Sequence, residues 1–426
     1  MKQRIISVLT LLVFCLCLTS CELSGDTTVT RKKNASSIGF SWWGNDVRSE
    51  YTIESLKLFQ NKTNITVEPR YCEFSGYKSW LDADMAAGDT PDVMQVNYNW
   101  LYEYASQGYE FYDMSTLKDD IRLDNFSKEQ LEFGMVNGKL MGIPIALNGM
   151  YFFYNADTLA KYGVTVPTTW DEFFAAGAKL KEHGVYIAEM GEKALWLCCV
   201  AYAEQKTGKP LFDSSNRLQY TPQEYQVILE TYKKILDYNI IPRPTDFNHS
   251  DFFNGKAAGL LCWISDTKSY FSGNSGVNAT SVNIAIGELL RISDETPSGW
   301  YKKPMALYCI SKNTKQPQEA ARLVDHLLNS EDMAQLQGTE KGVPLSKSAQ
   351  EVLESRDMLS DLQAVADKKM NADPNIKTMS SYLENDKLMK IFYTLGDDVT
   401  YNNADVGEKS REMYLQAREI PEIPRW

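Results

Sequence analysis

Two short runs place chemically capable side chains close together. "IGFSWWGND", residues 38–46, sets Trp42 and Trp43 side by side ahead of a glycine, followed by Asn45, Asp46 and then Arg48. "MQVNYN", residues 94–99, puts an amide at every second position: Gln95, Asn97 and Asn99. Aromatic faces cover apolar C–H surface, while amides, carboxylates and a guanidinium satisfy hydroxyl groups from several directions. Such a set suits a ligand with an apolar face and a polar rim. Nothing in it activates a bond.

Groups for making and breaking bonds are scarce elsewhere. His183, His249 and His326 are scattered. The phosphate-cradling spacing G-x-x-x-x-G-K-[ST] is absent, as are H-E-x-x-H, C-x-x-C and G-x-S-x-G. Carboxylates are numerous, with 56 Asp and Glu, so a two-carboxylate glycoside hydrolase stays open as an alternative. That mechanism depends on a carboxyl separation that only a fold can set.

The elements that must position these residues follow from periodicity. Ile38–Phe40 reads as a strand, 50–63 has helical spacing, 64–71 is a strand, 77–88 a helix closed by Gly88, and 91–96 a strand. This alternation predicts an α/β fold with a mostly parallel sheet, whose ligands bind at the carboxyl ends of the strands. Trp42, Trp43, Gln95, Asn97 and Asn99 then share one crevice. Strand alternation sends the two tryptophans to opposite faces. Trp43 is expected in the crevice, with Trp42 packed into its own layer. Trp80, Trp100 and Trp170 lie on helix-like segments and are expected in the core. Residues 138–164 read as strand, turn, strand, helix; 167–184 as a helix capped by Thr169; 221–241 and 316–338 as long helices.

The amino-terminal residues read as an address. Lys2 and Arg4 precede the apolar run "IISVLTLLVFCLCL", 5–18, too short for a comfortable membrane span. "LTSC", 18–21, resembles a bacterial lipobox, which implies cleavage before Cys21 and lipid attachment there; a plain signal peptide is the alternative. Residues 22–37 read as a flexible tether. Losing Lys2 and Arg4 takes the formal charge from −12 to −14, which argues against nucleic acid and against a polybasic membrane contact. Five cysteines lie past Cys21, an odd number with two adjacent, so no disulfide framework is expected.

Five segments then carry a resemblance: "AAGDTPDVMQVNYNWLYEYASQG" (86–108), "GKLMGIPIALNGMYFFYN" (138–155), "GVTVPTTWDEF" (163–173), "FFNGKAAGLLCW" (252–263) and "CISKNTKQPQEAARLVDHLL" (309–328). In this order, behind a lipobox, they resemble extracellular solute-binding protein family 1, the carbohydrate-binding lipoproteins of bacterial ABC importers. The resemblance implies a periplasmic-binding-protein-like α/β fold, two lobes with a ligand cleft at the hinge. It implies a lipid-anchored monomer facing the extracytoplasmic side of the bacterial cell envelope. Such a protein delivers a sugar or oligosaccharide to ABC permease subunits served by a separate ATPase, with no cofactor and no chemistry. Crossings are implied near Pro144–Asn148, Met305–Tyr308 and Val343–Ser346. Lobe one is then 38–145 plus 307–343, and lobe two 146–306 plus 344–426.

By the same resemblance, Trp42, Trp43, Asn45, Asp46 and Arg48 face the sugar after the first strand, and Gln95, Asn97 and Asn99 after the third. Some relatives hold an acid at the latter place, and this sequence has none. Asn148, Trp263 and Tyr382 match further ligand positions. Trp196 and Trp300 are additional candidates, with core packing as the alternative. Tyr154 is expected to make a structural hydrogen bond near the hinge. Two other readings stay open: a surface glycoside hydrolase or lyase, and a binding lipoprotein for a non-sugar solute.

Overall fold

The structure is a computed structural model that describes residues 37–108, 111–238, 240–271, 282–293 and 295–423. The leader, Cys21 and tether residues 22–36 lie outside them. Ser37, expected to end the tether, instead opens the first strand.

Strand β1 (Ser37–Trp43) pairs in parallel with β2 (Thr66–Cys72) and β3 (Val93–Val96). Helix Asp46–Thr63 links β1 to β2. Asn45 starts it by accepting a hydrogen bond from the Arg48 amide, and Asn64 closes it in the left-handed region at φ 58°. Helix Phe74–Ala87 links β2 to β3 and ends at Gly88, φ 76°. The full order of this first sheet is β2, β1, β3, Leu307–Ile310, Ile143–Pro144. Ile38, Phe40 and Trp42 pack on one face; on the other, Ser41 meets the Tyr77 hydroxyl at 2.8 Å. Burial on both faces is the mark of a doubly covered sheet.

The second sheet runs Lys377–Thr378, Tyr301–Pro304, Leu147–Asn155, Gly259–Trp263, Glu189–Met190, with Ile284–Ile286 also on the central strand. All nine residues of Leu147–Asn155 are buried. Its neighbours Gly259–Trp263 and Tyr301–Pro304 run antiparallel to it, and only the short outer strands Glu189–Met190 and Lys377–Thr378 pair in parallel, so the expectation of a mostly parallel sheet holds for β1–β3 and not for this sheet.

Three extended segments run side by side between the sheets. The Ile145 amide donates to Ala306 O (3.0 Å), Met305 N to Ala146 O (2.9 Å), and Leu345 N to Ile145 O (2.9 Å). Such side-by-side crossings form a hinge that two α/β lobes can share.

Two further expectations change. The helix expected over 316–338 is two, Pro317–Asn329 and Glu331–Gln337. Ser330 is extended between them, and its hydroxyl caps the second by accepting from the Met333 amide; Glu331 and Asp332 in the first turn favour that new start. The Tyr154 hydroxyl is buried without a partner among the described residues. Its ring stacks on Phe152 at 5.7 Å, so the residue serves packing. Among the described residues no helix is long and apolar enough to cross a membrane.

Candidate functional site

A cavity of about 990 Å³ opens between the helix that follows β3 and the crossing segments. Tyr98, Tyr102 and Phe133 line it from segments that follow β3. Phe212, Tyr301 and Leu383 line it from the second sheet's side, with Leu147, Val343 and Leu345 of the crossings between them. Tyr98 and Tyr102 sit one turn apart on helix Tyr98–Ser106, so both rings point the same way. Tyr382 lies 6.2 Å from Phe212. Burial first, then the nearby Tyr102, pushes the Tyr382 hydroxyl pKa up. The i, i+4 tyrosines directly after Asn97 were a legible signal that the sequence reading passed over.

A second cavity, about 750 Å³, is lined by Asn45, Val47 and Arg48 on one side and Ser265, Thr267 and Lys268 on the other. Lys268 pairs there with Asp361 (3.3 Å) and Glu340 (3.5 Å). Arg48 donates through Nη2 to Glu340 O at 2.8 Å, while its Nε is buried without a partner.

The expected site residues divide into three groups. In the first, side chains are already committed. Trp42 is fully buried between Phe40 and Tyr71, each 4.9 Å away. Trp43 was expected to offer a face to the cleft, and here the structure corrects the reading. Trp43 is 5% exposed and enclosed by Phe74, Tyr77 and Trp100. Trp196 is fully buried, donates to Leu383 O (2.7 Å) and packs on Phe392. Trp300 donates to Leu290 O (3.1 Å) and stacks on Trp170. Neither offers a ring to a ligand, because both complete the second lobe's core. Asn148 spends its amide on Ser265, donating to Oγ at 2.9 Å and accepting from the backbone amide at 3.2 Å. It therefore holds the segment after Trp263 in place.

In the second group, polar atoms are left unsatisfied. Gln95 Nε2, Asn97 Oδ1 and Asn99 Oδ1 are all buried without partners. Buried polar atoms that lack partners carry a desolvation cost. Asn45 and Asp46 are exposed at the start of their helix, with the Asn45 oxygen already used as its cap. In the third group, Trp263 and Tyr382 are half-buried.

The sequence reading missed a charged cluster beside Trp263. Glu384 is buried between Lys193 (3.1 Å) and Lys303. Burial alone would raise the Glu384 carboxyl; the two lysines override it and hold it at about 2. Asp266 is pushed up to about 6 by burial, against the pull of Arg48, Lys193 and Lys303. Lys341 is fully buried, donates to Gln95 Oε1 and Tyr308 OH at 3.0 Å each, and is lowered to about 7 by burial and then by Arg48. Long, flexible cations carry no periodic signature, so no pattern in the sequence singled them out.

Residues 54–378 match the bacterial extracellular solute-binding protein family. The chain belongs to that family. Among solved structures it is similar to a periplasmic solute binding protein from Pectobacterium atrosepticum, with TM-score 0.85 and 29% identity, covering 91% of this chain and 100% of that one. It is also similar to a periplasmic oligogalacturonide binding protein from Yersinia enterocolitica in complex with saturated digalacturonic acid. There the TM-score is 0.81 and the identity 29%, over 90% of this chain and 98% of that one. The maltodextrin-binding protein MdxE of Bacillus subtilis is 27% identical over 124 residues, 28% of this chain and 27% of that protein. The chain spans about a quarter of the length of such curated relatives. A two-lobed α/β solute-binding protein accounts for the paired sheets, the three crossings and the cleft between them.

Proposed function

We propose that this protein binds an oligosaccharide in its interlobe cleft and hands it unaltered to the permease of an ABC importer. One observation carries the reading: aromatic rings from both sides, Tyr98 and Tyr102 of the helix after β3 and Phe212 and Tyr301 opposite, line one cavity against the crossings. Orphaned amide atoms of Gln95, Asn97 and Asn99 flank Tyr98 in the chain, at the end of β3. Aromatic walls with a few placed polar groups suit a sugar's apolar face and hydroxyl rim. Closure about the crossings then buries the ligand.

A sugar that carries carboxylates is the class to test first, for the cations gathered beside Trp263. Arg48, Lys193 and Lys303 all act on Asp266, and Lys341 lies near Arg48, while Glu384 sits between Lys193 and Lys303. The Yersinia neighbour's ligand, digalacturonic acid, is of that class. In this reading Cys21 is lipidated and tethers the protein to the outer side of the membrane. Cys21→Ala should release the protein into the soluble fraction; a variant that stays membrane-bound with unchanged mass contradicts the anchor.

A thermal-shift panel of neutral and acidic oligosaccharides, followed by product analysis, tests the function. The expected result is stabilisation by one glycan class with the glycan recovered intact. Steady release of shortened sugars, abolished by one carboxylate substitution, would establish a hydrolase or lyase instead.

A further inference from the structure

We propose that the turn Thr339–Gly342 is an interlobe latch, which holds the two lobes against each other before any ligand enters. The chain closes this turn on itself: the Gly342 amide donates to Thr339 O at 2.8 Å, and Gly342 stands at φ 96°, a backbone region open to glycine at little cost. Glycine is needed there for space as well. A Cβ on Gly342 would lie 2.8 Å from the Ala146 Cβ of the first crossing. The turn therefore packs directly against the hinge, just ahead of the crossing that carries Val343 and Leu345.

Its residues are tied in two directions. Toward the first sheet, the buried Lys341 ammonium donates to Gln95 Oε1 on β3 and to Tyr308 OH on strand Leu307–Ile310, at 3.0 Å each. Arg48, in the helix that follows β1, donates to Glu340 O at 2.8 Å. Toward the second sheet, the Thr339 hydroxyl donates to Asp361 Oδ2 at 2.7 Å, Thr339 O accepts from Gln363 Nε2, and the Glu340 carboxylate pairs with Lys268 at 3.5 Å. Asp361 and Gln363 begin the helix Leu362–Ala372, whose Met370 packs over Gly149 of the central strand of that sheet. Lys268 lies on the helix Thr267–Phe271, a few residues past Trp263. Neighbouring residues of one short turn are thus held by opposite lobes. A change in the angle between the lobes must break one set of ties or strain the turn. Thr339 and Gln363 are each 1% exposed, so their bonds are costly to leave unmade. The Lys268–Glu340 pair is partly exposed and is the weaker tie. It lines the 750 Å³ cavity together with Arg48 and Asp361.

The test is small-angle X-ray scattering of the full-length protein without ligand, so its outcome is independent of the sugar reading. Thr339→Val/Lys268→Met releases the turn from the second lobe and leaves Asp361 in place as the cap of its helix. Lys341→Met releases it from the first lobe. Each variant is expected to keep the wild-type circular dichroism and to show a larger radius of gyration than the wild type. Because the two sets of ties act in series through one turn, combining the variants should expand the protein no further than the larger single effect. A wild-type radius in either variant overturns the latch. So does a combined expansion equal to the sum of the two, which marks unrelated contacts. An expansion that comes with loss of helical signal overturns it as well, because the ties then hold the fold and not the angle between the lobes.

Discussion

Lys303 holds its ammonium 4.6 Å from the centre of the Trp263 ring while pairing with the buried carboxylate of Glu384. One face of the half-buried indole therefore meets a cation. Only the rest of the ring is free for a ligand, which fixes the side from which a sugar can stack. It also ties the ring's position to a buried ion pair.

That pair should be costly to break from one side. Lys303→Met leaves Glu384 buried with Lys193 alone, which is 37% exposed. A stability loss of about 3–5 kcal/mol is expected in urea denaturation of the free protein. Adding Glu384→Leu should recover most of it, because an apolar pair needs no counter-charge. A single variant as stable as wild type would show that the pair is not desolvated.

Both tryptophans of the "SWWG" turn should behave as core residues. Truncating a buried aromatic costs about 3–5 kcal/mol. Trp42→Ala and Trp43→Ala should each lower the melting temperature of the unliganded protein. Normal stability with abolished binding in Trp43→Ala would restore the expectation that its ring faces the ligand.

Lys341 makes stability depend on pH in a definite direction. Its folded pKa lies at about 7, below the ordinary lysine range, so above pH 7 the folded state binds fewer protons than the unfolded state. Stability therefore rises with pH across that window. Between pH 7 and 8.5 the wild type should gain roughly 1–2 kcal/mol relative to Lys341→Met. A constant difference between the two proteins across this range would contradict a buried, uncompensated cation.

The same titrations bear on binding. Lowering the pH neutralises Asp266, raised to about 6, and charges Lys341, so the cleft becomes more cationic. Affinity for an acidic oligosaccharide should rise between pH 8 and 5.5, and Asp266→Asn should flatten the lower part of that profile. Affinity that stays level across this range argues for a neutral ligand, and affinity that falls with acidification rules out an acidic one.

The sequence made the α/β character and the parallel run of β1, β2 and β3 legible, because strands and amphipathic helices repeat at fixed periods. Alternation correctly sent Trp42 and Trp43 to opposite faces. It could not show that helices and neighbouring rings cover both faces, so the inside-or-outside assignment of Trp43 failed. The break at Ser330 was hidden because a serine cap and two acids read equally well as the exposed face of one continuous helix. Asn148 looked like a ligand contact, yet its amide partner Ser265 lies 117 residues away in the chain. Lys303, Lys341 and Glu384 meet their partners only through tertiary folding.

Trp263 gives the most direct test of the account, by calorimetry of wild type and Trp263→Ala with the glycan that best stabilises the wild-type protein. Removing one stacking face should weaken binding roughly ten- to hundredfold, about 1–3 kcal/mol, with the melting temperature of the unliganded protein nearly unchanged. Equal affinity in the two proteins, each folded and each saturable, would mean that the ligand does not lie in the cleft between the lobes.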